Sequence, residues 1–153
     1  MNIAGLLLLS VVAIIGTLIA SKFEGVYHKI ISVGLAVSIL LLWTGNVHFI
    51  PGNFIAVTLL SIATFVYGLT VRGLNKFEKL NITTMGVFLA VSFISKLMYY
   101  PFAGQIKLSM IVPIIITLVT FIKGKKLTRE MSFMIFWLFY ATFEFVRLWT
   151  VCY

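Results

Sequence analysis

Six apolar runs, 3–20, 30–47, 54–71, 81–100, 106–122 and 131–150, leave this chain few ways to fold. Each is close to the ~20 residues that a helix needs to cross ~30 Å of hydrocarbon. A backbone in lipid must pair its own N–H and C=O groups, which restricts spanning structures to helix bundles and closed barrels. The alternation of apolar and polar residues that marks barrel strands is absent. The pattern therefore predicts an all-α, polytopic membrane protein, a six-transmembrane-helix bundle forming a single integral membrane domain over 1–153. Composition agrees, with 10% charged and 61% hydrophobic residues against the ~25% charged of soluble domains. The spans use up nearly all of the chain, so any site must lie between helices or at their ends.

The connections are short and differ in character. Ile3 to Ala20 has no Lys or Arg before it and no small-residue pair at Leu18 and Ala20, so it reads as a retained span and not a signal peptide. The loop from Ser21 to Lys29 carries Lys22, Glu24, His28 and Lys29, and places His28 in a loop. Ser32, Gly34, Ala36 and Ser38 give the second span a face on which neighbouring backbones approach closely. Pro51-Gly52 is a turn signal that predicts a tight helical hairpin between the second and third spans. Asn81, Thr83 and Thr84 are available to cap the fourth span, and Pro101 ends it. Pro113 is expected to kink the fifth.

Charge sets the orientation. Nine of the twelve Lys and Arg fall in the loops after the first, third and fifth spans; Lys96, Lys107 and Arg147 lie near the opposite face. The positive-inside rule then puts both termini outside, which is periplasmic for a bacterial inner membrane. The net charge of +8 is scattered over loops and forms no single patch, so it speaks for topology and membrane lipids, not nucleic acid.

Charged residues inside spans cost roughly 2.5–3.5 kcal/mol each on insertion scales and face the bundle interior or snorkel to an interface. Lys96 and Glu144 fall at similar depth toward the outer face, where Asn46 and His48 end the second span. With Arg147 these form a candidate outward-facing polar cluster. Phe133, Trp137, Tyr140, Glu144 and Arg147 recur at helical spacing, so they share one stripe on which Glu144 and Arg147 can pair. Three readings of that stripe are open: a local ion pair anchoring a helix end, a partner-binding surface, or a proton or ion path.

Other chemistry is not signalled. His48 has no second His, Cys or carboxylate at ligand spacing, and no metal site or cofactor is expected. The sequence has no GxSxG, HExxH, CxxC or glycine-rich phosphate loop, so no catalytic residue is assigned. Cys152 has no second cysteine with which to form an internal disulfide. Trp43, Phe49, Tyr99, Tyr100, Trp137 and Trp149 fall near predicted interfaces, where amphipathic rings settle.

The stretch from Ser95 to Gly104 resembles the FKxxHWPxA signature that ends the first membrane helix in the L subunit of the Bacteroidota gliding-motility and type IX secretion motor. Lys96, Leu97, Met98, Pro101, Phe102 and Ala103 match that pattern, while Tyr99 and Tyr100 replace its His and Trp. A fainter copy runs from Thr44 to Asn53, with Pro51 and Gly52 matching, Asn46 in place of the lysine and His48 displaced by one. The resemblance implies a Bacteroidota inner-membrane protein with two similar hairpins in parallel orientation. The motor subunit carries a glutamate in its return helix, whereas the equivalent neighbourhood around Ile114 has no acid. The motor's ion-driven work is therefore not carried over.

Three functions remain to be weighed. The first is a non-catalytic subunit that packs against other membrane subunits or itself, in an assembly related to secretion or gliding. The second is a small transporter or channel using the outward-facing cluster, and the third a membrane enzyme acting on lipids.

Overall fold

A computed structural model describes residues 3–44, 49–98, 103–123 and 128–151. Among these residues every regular element is helical: α1 (Ile3–Ser21), α2 (Tyr27–Trp43), α3 (Phe49–Thr70), α4 (Lys76–Leu97), α5 (Ala103–Leu108), α6 (Ile111–Lys123) and α7 (Met131–Val151). Four stretches are long and apolar enough to cross a membrane, namely α1, Gly52–Thr70, α4 and Gly104–Lys123; Tyr27–Trp43 and Met131–Val146 are shorter apolar helices. The all-α bundle expected from the sequence is present.

The helix boundaries depart from expectation where capping and proline chemistry set them. Pro51-Gly52 is not a turn, because α3 already begins at Phe49. Proline at the third helical position is tolerated, since the first turn's N–H groups have no acceptor within the helix. The cap of α4 is Asn75, not Asn81, Thr83 or Thr84. The Asn75 side chain accepts from the Glu78 N–H at 2.8 Å, and the Glu78 carboxylate accepts from the Asn75 N–H at 3.1 Å, a reciprocal capping box. This starts the helix five residues before the apolar run. The fifth span is broken rather than kinked: α5 and α6 are separated at Ser109-Met110. Pro113 explains the position of the break, for it offers no N–H to the Ser109 carbonyl and its ring crowds that group. The Ser109 carbonyl accepts instead from Val112 at 3.1 Å.

Helix α7 is the centre of the bundle, packing on α1, α2, α4, α5 and α6. Phe133, Trp137 and Ala141 are fully buried along it, and Met134 and Phe136 beside them are buried as well. Trp137 thus sits in the core and not at an interface, and its indole N–H donates to Thr64 Oγ at 3.0 Å. Further hydrogen bonds join helices at buried points: Ser32 to Ser132 at 3.0 Å, and Thr117 to Asn81 Oδ1 at 2.7 Å. Asn81, expected as a cap, is therefore an interhelical acceptor. Such bonds tie neighbouring helices together at points where both partners are withdrawn from solvent.

Backbones approach closely where Gly16 on α1 faces the Ser132 carbonyl on α7, and again between α3 and α4. A Cβ on Gly86 would stand 2.5 Å from the Phe65 amide nitrogen and 2.7 Å from its Cα. Only glycine lets the two helices meet there. On α2, Ser32 and Ser38 are buried as the small-residue spacing predicts, but the atom nearest a Cβ on Gly34 is the flexible end of Leu60, not backbone. Helix α4 is half buried, at 50%, whereas the Gly104–Lys123 segment is only 17% buried and lies at the periphery.

Candidate functional site

Polar side chains gather at the two ends of α7. Glu130 and Glu144 are separated by about 21 Å along the axis, at ~1.5 Å per residue. At the far end, Glu144 projects from a helix whose apolar residues pack on nearly every side, and it is buried. Lys96, in the last turn of α4, places its Nζ 2.8 Å from Glu144 Oε2. Lys107, in the last turn of α5, places its Nζ 3.8 Å from the same oxygen. Tyr140, one turn before Glu144, donates its hydroxyl hydrogen to Oε1 at 3.2 Å, and its oxygen lies 3.3 Å from the Lys96 ammonium. The ammonium also lies 5.4 Å from the Phe93 ring centroid and 5.6 Å from that of Tyr140. Both rings present a negative face to a cation.

Two lysines from two helices thus converge on one carboxylate from a third. The sequence places Lys96 and Glu144 at similar depth, and the structure joins them as an ion pair. Lys107 and Tyr140 are the members that sequence reasoning did not place in the cluster. Tyr140 was legible on the helical stripe, whereas Lys107 is brought in by the break after α5, which spacing alone does not reveal. Asn46, His48, Tyr99, Tyr100 and Pro101 lie outside the described residues, as does the side chain of Arg147. Pro51 and Gly52 form part of the first turn of α3.

No family model, curated protein or solved structure matches the chain.

The near end of α7 holds a second cluster. Glu130 is buried and accepts from the Tyr67 hydroxyl at 3.2 Å and from Arg129 Nε. That hydrogen bond raises the Arg129 pKa above its ordinary value, against the opposing effect of burial. Tyr67 packs edge-on against Phe133 at 5.7 Å and tilted against Tyr27 at 6.4 Å. His28 belongs to this end. It is not a loop residue, because α2 begins at Tyr27 and His28 is buried in its first turn. Among the described residues, no group of three or more His, Cys, Asp or Glu stands together to hold a metal ion.

Proposed function

We propose that the protein is a small helical subunit of a larger inner-membrane assembly, oriented with the Lys96–Glu144 end outward and its role structural. The observation that carries this reading is the way Glu144 is held. Its charge is answered within the chain by Lys96 at 2.8 Å, with Lys107 at 3.8 Å and the Tyr140 hydroxyl on the other oxygen. A carboxylate so engaged clamps α4, α5 and α7 together and resembles a brace more than a general acid or base. Removing one member of such a buried pair costs ~3–5 kcal/mol, which makes the brace a substantial part of the bundle's stability.

The loop-charge asymmetry supports the orientation, and the likeness of Lys96, Pro101 and Ala103 to the motor signature supports an assembly related to type IX secretion or gliding in Bacteroidota. The exposed faces of α1 and α6, rich in Leu, Ile and Val, supply surface for lipid and for neighbouring helices. Isolation from native membranes in mild detergent, after crosslinking, tests the reading. Reproducible recovery of the same inner-membrane partners, or of a discrete self-assembly, is expected. Recovery as an uncomplexed monomer contradicts it.

One observation favours a second reading, a small transporter for anions. Two ammonium groups share one carboxylate, so the outward cluster carries a formal excess positive charge, and the lysine side chains are 20% and 23% exposed. Under that reading Lys96→Ala and Glu144→Gln change uptake into liposomes; unchanged uptake removes it.

A further inference from the structure

The Arg129 end of the bundle contains an open cleft of ≈ 640 Å³ between the start of α2 and the end of α3. Arg72, Arg129, Tyr27, Tyr67, His28 and Thr70 are among its lining residues. Four features point to one kind of occupant. The Val26 N-cap of α2 makes no side-chain cap hydrogen bond, so the partly positive helix start is left to whatever enters the cleft. His28 is 2% exposed, and its Nε2 is buried without a hydrogen-bond partner. A buried polar atom of this kind calls for a ligand or solvent.

The third feature is cationic. Arg129 gives its Nε–H to Glu130, and its two amino groups carry four more donors beside Arg72 at the rim. The fourth is apolar. From the cleft, α2 continues with Ile30, Val33 and Val37 exposed, and α3 with Val66, Ile62 and Leu59 exposed. A headgroup pocket lined by arginine thus opens onto two apolar helix faces. Gly25 completes the shape with φ of 127°, a conformation reserved for glycine; a Cβ there would also meet the His28 ring at 3.0 Å.

Resting on the membrane reading above, we propose that this cleft binds the phosphate of an anionic phospholipid on the cytoplasmic leaflet. Arg72 and Arg129 engage the phosphate oxygens, the α2 amide groups complete the shell over the buried His28 ring, and the acyl chains run along α2 and α3. Basic pockets between helices on the cytoplasmic side suit this chemistry.

The test uses the full chain, purified from membranes in detergent, delipidated and titrated with short-chain phosphatidylglycerol, short-chain phosphatidylcholine or inorganic phosphate, with bound ligand read by native mass spectrometry. Phosphatidylglycerol is expected to bind stoichiometrically and at least several-fold more tightly than phosphatidylcholine. Arg72→Gln should weaken it roughly fivefold, given the ~1 kcal/mol that one basic residue contributes. Ala63→Trp, which fills the cleft from an exposed position on α3, should weaken it at least as much. Equal retention of the two lipids overturns the proposal, as does unchanged phosphatidylglycerol binding in both variants with wild-type helicity. Saturation by inorganic phosphate at the same concentration overturns the assignment to a lipid. Failure of the membrane reading shows separately, as recovery of the chain in the soluble fraction before any lipid is added.

Discussion

The two ends of α7 carry the same kinds of residue and use them differently. At the Lys96 end, one carboxylate is answered by two lysines far away in sequence, on α4 and α5. At the Arg129 end, the carboxylate is answered by its immediate neighbour and by one tyrosine, and the guanidinium lies at the edge of an open cleft. Long-range pairing fixes tertiary structure, because it exists only when three helices are assembled. Pairing between adjacent residues adds little to assembly and leaves the cation able to meet a ligand. The first arrangement is a brace and the second a receptor.

Substitutions can break that contrast, and the largest effect is expected at Lys96. Lys96→Ala leaves Glu144 buried with only the more distant Lys107 ammonium, and should destabilise the bundle by ~3 kcal/mol, read by equilibrium unfolding in micelles. Glu130→Gln keeps a side chain able to accept from Tyr67 and should cost less, about 1–2 kcal/mol in the same measurement. A Glu130→Gln loss equal to that of Lys96→Ala would erase the distinction between the two ends. Tyr140→Phe removes one hydrogen bond to Glu144 while keeping the ring, and is expected to cost about 1 kcal/mol. Lys107→Ala should have the smallest effect, ~0.5 kcal/mol, since a partly exposed ammonium at 3.8 Å contributes little. A Lys107→Ala effect as large as that of Lys96→Ala would make the cluster a symmetric three-part site.

Much of the fold could be read from the chain because long, continuous apolar runs mark where helices lie. Five of the six apolar runs each fall on one helix and the fifth is divided between α5 and α6, while Lys96 and Glu144, expected at similar depth, meet in an ion pair. Boundaries were less legible. The apolar run beginning at Asn81 conceals a helix that starts at Lys76, since the Asn75–Glu78 capping box is polar and sits among loop charges. Pro51 looks like a turn residue in sequence, but its position in a helix's first turn depends on where that helix begins. Lys107 joins the outer cluster through the break set by Pro113, and His28 is buried through the early start of α2. In each case the deciding information lies in which elements meet.

The brace is tested most directly by a double-mutant cycle on Lys96→Met and Glu144→Leu, with unfolding free energy measured for the wild type, both single variants and the pair. Lys96→Met leaves the Glu144 carboxylate with only the more distant Lys107 ammonium, and Glu144→Leu removes the carboxylate that Lys96 meets, whereas the double variant replaces the pair with apolar side chains. A double variant that loses clearly less than the two single losses combined, by ~1.5–3 kcal/mol, is the predicted result. Losses that simply add would contradict the account and show that Lys96 and Glu144 act independently.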